Sequence, residues 1–131
     1  MISRSAGALL AMTLCDLGRF DEAEEFVQRS RTMTAEDDFA SQSEWRIAKA
    51  RVLSSRGVHD EALALADEAI EIADATDYLV WQGECYEVRG MVRAAAGRGD
   101  EAAAAYAEAL IRYERKGNVV AADRVRKRIE D

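Results

Sequence analysis

Three observations predict an all-α array of three helical hairpins closed by a C-terminal capping helix, seven helices in all. A six-residue phrase recurs, as GRFDEA at Gly18–Ala23, GVHDEA at Gly57–Ala62 and GRGDEA at Gly97–Ala102, so successive glycines lie 39 and 40 residues apart. A fixed period of about 20–50 residues marks a stacked repeat architecture. Proline is absent and alanine abundant, which favours uninterrupted helix. Between the phrases, apolar residues return every three or four positions.

Each phrase has the chemistry of a tight helix-to-helix turn. The glycine accepts the left-handed conformation that ends a helix. The Asp is expected to cap the next helix through its side-chain oxygen. Asp and Glu together set negative charge at that helix's positive end. The alanine marks where two helices pass closely.

The first helix is expected from Ser3 to Leu17, with Leu9, Leu10, Met12, Leu14 and Leu17 spread over two packed faces. The apolar stretch Ala6–Met12 behind Arg4 resembles a signal peptide's core. No small-x-small cleavage site follows and the stretch runs straight into the first turn, so it reads as helix. A second helix from Asp21 carries Ala23, Phe26, Val27 and Met33 on one stripe, with Asp21 and Glu24 as a capping box. Glu36-Asp37-Asp38 forms the break. The third helix starts near Ser41 or Ser43 and holds Trp45, Ile47, Ala48, Ala50, Val52 and Leu53. The fourth, Asp60 to Ala75, places Ala62, Leu65, Ala66, Ala69, Ile70 and Ala73 on one face. Helix five follows from Tyr78 to Ala96 and helix six from Asp100 to Arg115. The seventh, from Val119 to Ile129, should turn Val120, Ala121, Val125 and Ile129 inward as a polar cap. The whole of 1–131 reads as one domain, with repeats over 3–38, 41–76 and 77–116 and a capping helix over 119–130.

At this point the chain resembles the tetratricopeptide repeat family. The family's small residues fall at Ala11, Ala50 and Gly90 in the first helices, at Ala23, Ala62 and Ala102 early in the second helices, and at Ser30, Ala69 and Ala109 later in them. Val27, Ala66 and Tyr106 fill the bulky position between. A period of 39–40 in place of the family's usual 34, without proline at the repeat ends, is similar to the long repeats of maltose-regulator-type bacterial activators. It also looks like the C-terminal arrays of ATP-binding and nucleotide-cyclase signalling proteins. The resemblance implies a cytoplasmic protein–protein interaction or scaffolding module, as a regulatory arm or fragment of a larger bacterial signalling or transcription protein. A small-molecule effector-sensing domain is the alternative.

Charge and chemistry narrow the function further. With 18 Lys and Arg against 25 Asp and Glu, the net charge is −7, which argues against nucleic-acid binding. The acids crowd Asp21–Asp38, whereas Arg124, Arg126, Lys127 and Arg128 make the C-terminal end basic. Those bases read as a solvated cap face. Cys15 and Cys85 read as buried free thiols of a reducing compartment. The single His59 sits in a turn, and one histidine with two distant cysteines makes no zinc site. No catalytic, metal or cofactor constellation is found, so an enzyme is not expected, nor is a membrane span. Tyr86 and Tyr106 read as core; Trp45 and Trp81 remain open between core and ligand stacking.

The resemblance places a partner surface on the concave wall built by the first helix of each hairpin. Transferred by alignment, it comprises Ala8, Leu9 and Met12, then Glu44, Ile47, Ala48 and Arg51, then Glu84, Glu87, Val88 and Met91. Such a strip suits an amphipathic helix or extended peptide carrying basic residues. The alternative is a strip that is solvated or covered by the basic last helix. The uncovered apolar side of the first helix, including Ile2, Leu9, Leu10 and Met12, is expected to dock a second copy or a preceding repeat.

Overall fold

The computed structural model describes residues 6–130. Among them it shows seven helices: α1 Ala6–Asp16, α2 Phe20–Met33, α3 Phe39–Ser55, α4 His59–Asp74, α5 Leu79–Ala95, α6 Gly99–Lys116 and α7 Val119–Glu130. Consecutive helices pack as hairpins α1–α2, α3–α4 and α5–α6. The first helices also stack side by side, α1 on α3 and α3 on α5, while α7 packs on α6. This is the hairpin array expected from the repeat.

The turns follow from single glycines. Gly18, Gly57 and Gly97 have φ of 75°, 77° and 79°, and Gly117 repeats the geometry at 77°. At the first turn the Gly18 N–H bonds the Cys15 carbonyl and the Arg19 N–H bonds the Leu14 carbonyl, at 3.0 and 2.8 Å. The other three turns repeat this paired pattern, which satisfies carbonyls the helix end would leave open. Here the expected capping role of the Asp is corrected. The helices begin at Phe20, His59 and Gly99, and the preceding Arg19, Val58 and Arg98 make no side-chain cap. One non-helical residue after the left-handed glycine is enough to start the helix, so Asp21, Asp60 and Asp100 already lie inside its first turn. They act there through their charge. No capping box forms, and Glu24 instead bonds Lys49 of α3 and Arg56 just after it at 2.6 Å each. True side-chain caps occur at α3 and α7. Asp38 accepts from the Ser41 N–H at 3.2 Å, and Asn118 from the Ala121 N–H at 3.2 Å.

Small residues set the helix crossings. Ala11, Ala23, Ala50, Ala62, Ala69 and Ala109 are all buried at 0% exposure, where another helix leaves room for only a methyl group. The third hairpin solves the same crossing differently. Its bulky Tyr106 is accommodated because Gly90 has no side chain, and Tyr113, also fully buried, lies against Gly83. One continuous core runs from Ile47 through the second and third hairpins to Val125 of α7. Burying side chains such as Ile47, Val52 and Val92 contributes about 1.5–3 kcal/mol each.

Several apolar residues lie outside the core the periodicity assigned them. α7 buries Ala121, Ala122 and Val125, whereas Val120 and Ile129 are 77% and 43% exposed. Two adjacent alanines allow α7 to approach α6 along a line that turns Val120 away. Met33 is likewise exposed at the free end of α2. On α1 only one face is covered, leaving Leu9 and Leu10 exposed, as is Leu17 in the turn that follows. Ile2 and the side chain of Ala8 lie outside the described residues.

Candidate functional site

Side-by-side stacking of α1, α3 and α5 makes one continuous wall, and α7 closes one end of it. Between them lies a cleft of about 390 Å³. α1 lines it with Leu9, Met12, Thr13 and Asp16, and α3 with Arg51. α5 contributes Glu84, Glu87, Val88 and Met91, one helical face read at every third or fourth residue. α7 adds Arg124 and Arg128.

Seven of the eleven wall residues transferred from the repeat register therefore meet here: Leu9, Met12, Arg51, Glu84, Glu87, Val88 and Met91. Glu44 and Ile47 do not. They are 2% and 1% exposed inside the fold, because α3 is flanked on one side by α1 and on the other by α5. Ala48 is fully buried for the same reason. Register alone does not reveal which first helix is covered twice.

The cleft's ions pair with one another. Arg51 donates to Asp16 at 2.7 Å, joining α3 to α1. Glu87, 5% exposed, is the centre of the other network. Arg124 donates to both its carboxylate oxygens at 2.8 Å, and Arg128 donates through Nε at 2.8 Å. The Tyr113 hydroxyl adds a bond of 2.9 Å. Burial alone would push the Glu87 carboxyl up, but the hydrogen bonds and charges of Arg124 and Arg128 outweigh it and hold it below the ordinary value. The same contacts push the Arg124 guanidinium up. Burial, then the charges of Glu87 and Glu84, push the Tyr113 hydroxyl up.

Two arginines expected on a solvated cap face are thus engaged with α5, while Arg126 pairs on the outside with Asp123 and Glu114. Three carboxylates (Asp16, Glu84, Glu87) and three guanidiniums (Arg51, Arg124, Arg128) line the cleft, so its walls carry no excess of either sign. Its floor is apolar, from Leu9, Met12, Val88 and Met91. Asp16 was not legible as a wall residue, nor Tyr113 as a partner of Glu87, whereas Arg124 and Arg128 correspond to the alternative in which the basic last helix covers the strip. One signal was available: Glu87 stands 40 residues after the buried Ile47, a polar residue at an apolar register.

The aromatic residues are structural. Trp45 and Trp81 are 7% and 8% exposed. Trp45 is flanked by the guanidiniums of Arg31 and Arg46 at 4.8 and 4.4 Å, and Trp81 meets Tyr78 at 4.7 Å. Tyr86 and Tyr106 are buried, as expected. Cys15 and Cys85 are buried cysteines, and burial pushes the Cys15 thiol up. Among the described residues no group of three His, Cys, Asp or Glu is placed to hold a metal ion, and no helix is long and apolar enough to cross a membrane.

A tetratricopeptide repeat family model matches residues 3–75, the first two hairpins. No curated protein and no solved structure matches the chain.

Proposed function

Because the chain belongs to the tetratricopeptide repeat family, whose stacked hairpins present concave binding surfaces, we propose that it is a protein–protein interaction module whose partner seats in the α1–α3–α5 cleft. The observation that carries this reading is the apolar floor of Leu9, Met12, Val88 and Met91, open beside mutually paired ions. Methionines adapt to varied apolar surfaces, which suits an amphipathic helix or extended peptide. Basic side chains on that peptide would meet Glu84 on the wall. Polar groups already bonded to one another, and so not presented to a small ligand, favour a macromolecular partner over a small effector.

The wider setting is part of the same proposal. The 39–40-residue period supports a regulatory arm of a larger bacterial signalling or transcription protein. The buried cysteines, unbridged to each other, support a reducing cytoplasm. Leu10 and Leu17, 41% and 64% exposed, support docking of a second copy or a preceding repeat on α1. The test is capture from native extract with the wild-type chain and with Met12→Glu plus Met91→Glu. Both side chains are only partly buried, so the fold should survive. Loss of the partner is expected; equal recovery of the same partner by both forms refutes the cleft as its seat.

A further inference from the structure

Helix α7 joins the array through a small apolar face and a cluster of ions. It buries only Ala121, Ala122 and Val125, while α5 buries Trp81, Cys85, Tyr86, Val88 and Val92. Its hold on α5 is concentrated in one carboxylate. Arg124 and Arg128, four residues apart and so on one helical face, both bond Glu87. Their side chains remain 45% and 32% exposed, within reach of a competitor. The Glu87 carboxylate is itself buried, so it needs cations whichever helix supplies them.

We propose that α7 is a displaceable strap: it occupies the Glu87 end of the cleft as a built-in ligand, and a partner helix with two cations one turn apart replaces it. The partner's chemistry is read from α7 itself. Small apolar residues at the places of Ala121 and Ala122 allow close approach, and the cations follow at the spacing of Arg124 and Arg128. Release leaves Glu87 facing the cleft beside Glu84, an acidic end matched to a basic helix. Gly117, with φ of 77°, is the turn about which α7 leaves α6. The proposal deepens the reading of the cleft as a partner surface and rests on it.

Hydrogen exchange on the full chain reads the strap without any partner. Glu87→Gln keeps the shape and an acceptor for Tyr113 but removes the charge. Amides of residues 119–130 should then exchange about tenfold faster, with those of α5 and α6 changed by less than about twofold. Unchanged α7 exchange, or joint loss of protection by α5, α6 and α7, overturns the strap. Displacement is read with a labelled synthetic peptide of residues 118–130. It should bind the full chain carrying Arg124→Gln and Arg128→Gln about tenfold tighter than wild type, because the site is no longer occupied in cis. Adding Glu87→Gln should abolish that gain. Equal affinity for wild type and the double variant overturns displacement. If instead only the methionine variants fail to lose their partner, the cleft reading falls while the exchange result stands.

Discussion

Three glycines of the third repeat sit in three environments, and one substitution applied to each should give three different outcomes. At Gly90 an added Cβ would lie 2.5 Å from Tyr106 Cδ1, 2.9 Å from Cζ and closer still to Cε1. The ring is 6% exposed and cannot swing away. Overpacking of this kind costs about 1–3 kcal/mol. Gly→Ala inside a helix returns about 1 kcal/mol of propensity. The severity of the overlap places Gly90→Ala near the upper end, a net loss of about 1–2 kcal/mol. With a urea slope of about 2 kcal/mol per M, the midpoint should fall by roughly 0.5–1 M. Gly99→Ala is the control, since nothing lies within 4 Å and its φ is not positive. It should gain about 0.4–1 kcal/mol. Gly97→Ala meets no atom either, but its φ of 79° should cost about 1–2 kcal/mol. Equilibrium urea unfolding of the three variants is the assay. If Gly90→Ala raises the midpoint as Gly99→Ala does, the pairing of Gly90 with Tyr106 is wrong. Adding Tyr106→Val to Gly90→Ala recreates the Ala11 and Val27 pair of the first hairpin. The two changes should therefore be non-additive in the favourable direction.

Other outcomes follow from the same contacts. Ala62→Leu or Ala69→Leu should each cost about 1–3 kcal/mol in urea unfolding, because both are fully enclosed at a helix crossing; two unchanged midpoints would refute the register. Glu87→Lys sets a third cation against Arg124 and Arg128 in a buried site and should cost about 3–5 kcal/mol. Because the folded Glu87 carboxyl is held below its ordinary value, its stabilisation is fully present above that ordinary value and is lost as pH falls through the lowered one. Glu87→Gln should therefore flatten the acid limb of a stability–pH curve, and an identical limb in both proteins would refute the pairing. Light scattering of wild type against Leu10→Glu plus Leu17→Glu checks the α1 face; dissociation of a wild-type dimer is expected, and the same mass for both excludes the second copy.

What the sequence made legible was whatever repeats. The glycine turns, the alanine crossings and the order of helices rest on local conformation and on residues recurring at one period, so they could be read residue by residue. The capping reading failed at finer resolution. A left-handed glycine already satisfies the outgoing helix and delivers the chain into the next one a residue earlier than an Asp cap would. The face of α7 failed because a single terminal helix has no second copy to align with, and Val120 and Ala122 fit an inward stripe equally well until the crossing on α6 is known. The charge of the cleft was hidden for a related reason. Glu84 and Glu87 read as an acidic wall only when α5 is taken singly; Arg124 and Arg128 neutralise Glu87 from 37 and 41 residues away, and Arg51 pairs with Asp16 from 35. A repeat period predicts contacts between like positions. At its last helix the array meets a unique partner, and there a polar residue at an apolar register is the sign that the neighbour is polar too. Glu87 in the register of Ile47 is that sign, so the position that breaks the repeat is the one that identifies where α7 lies.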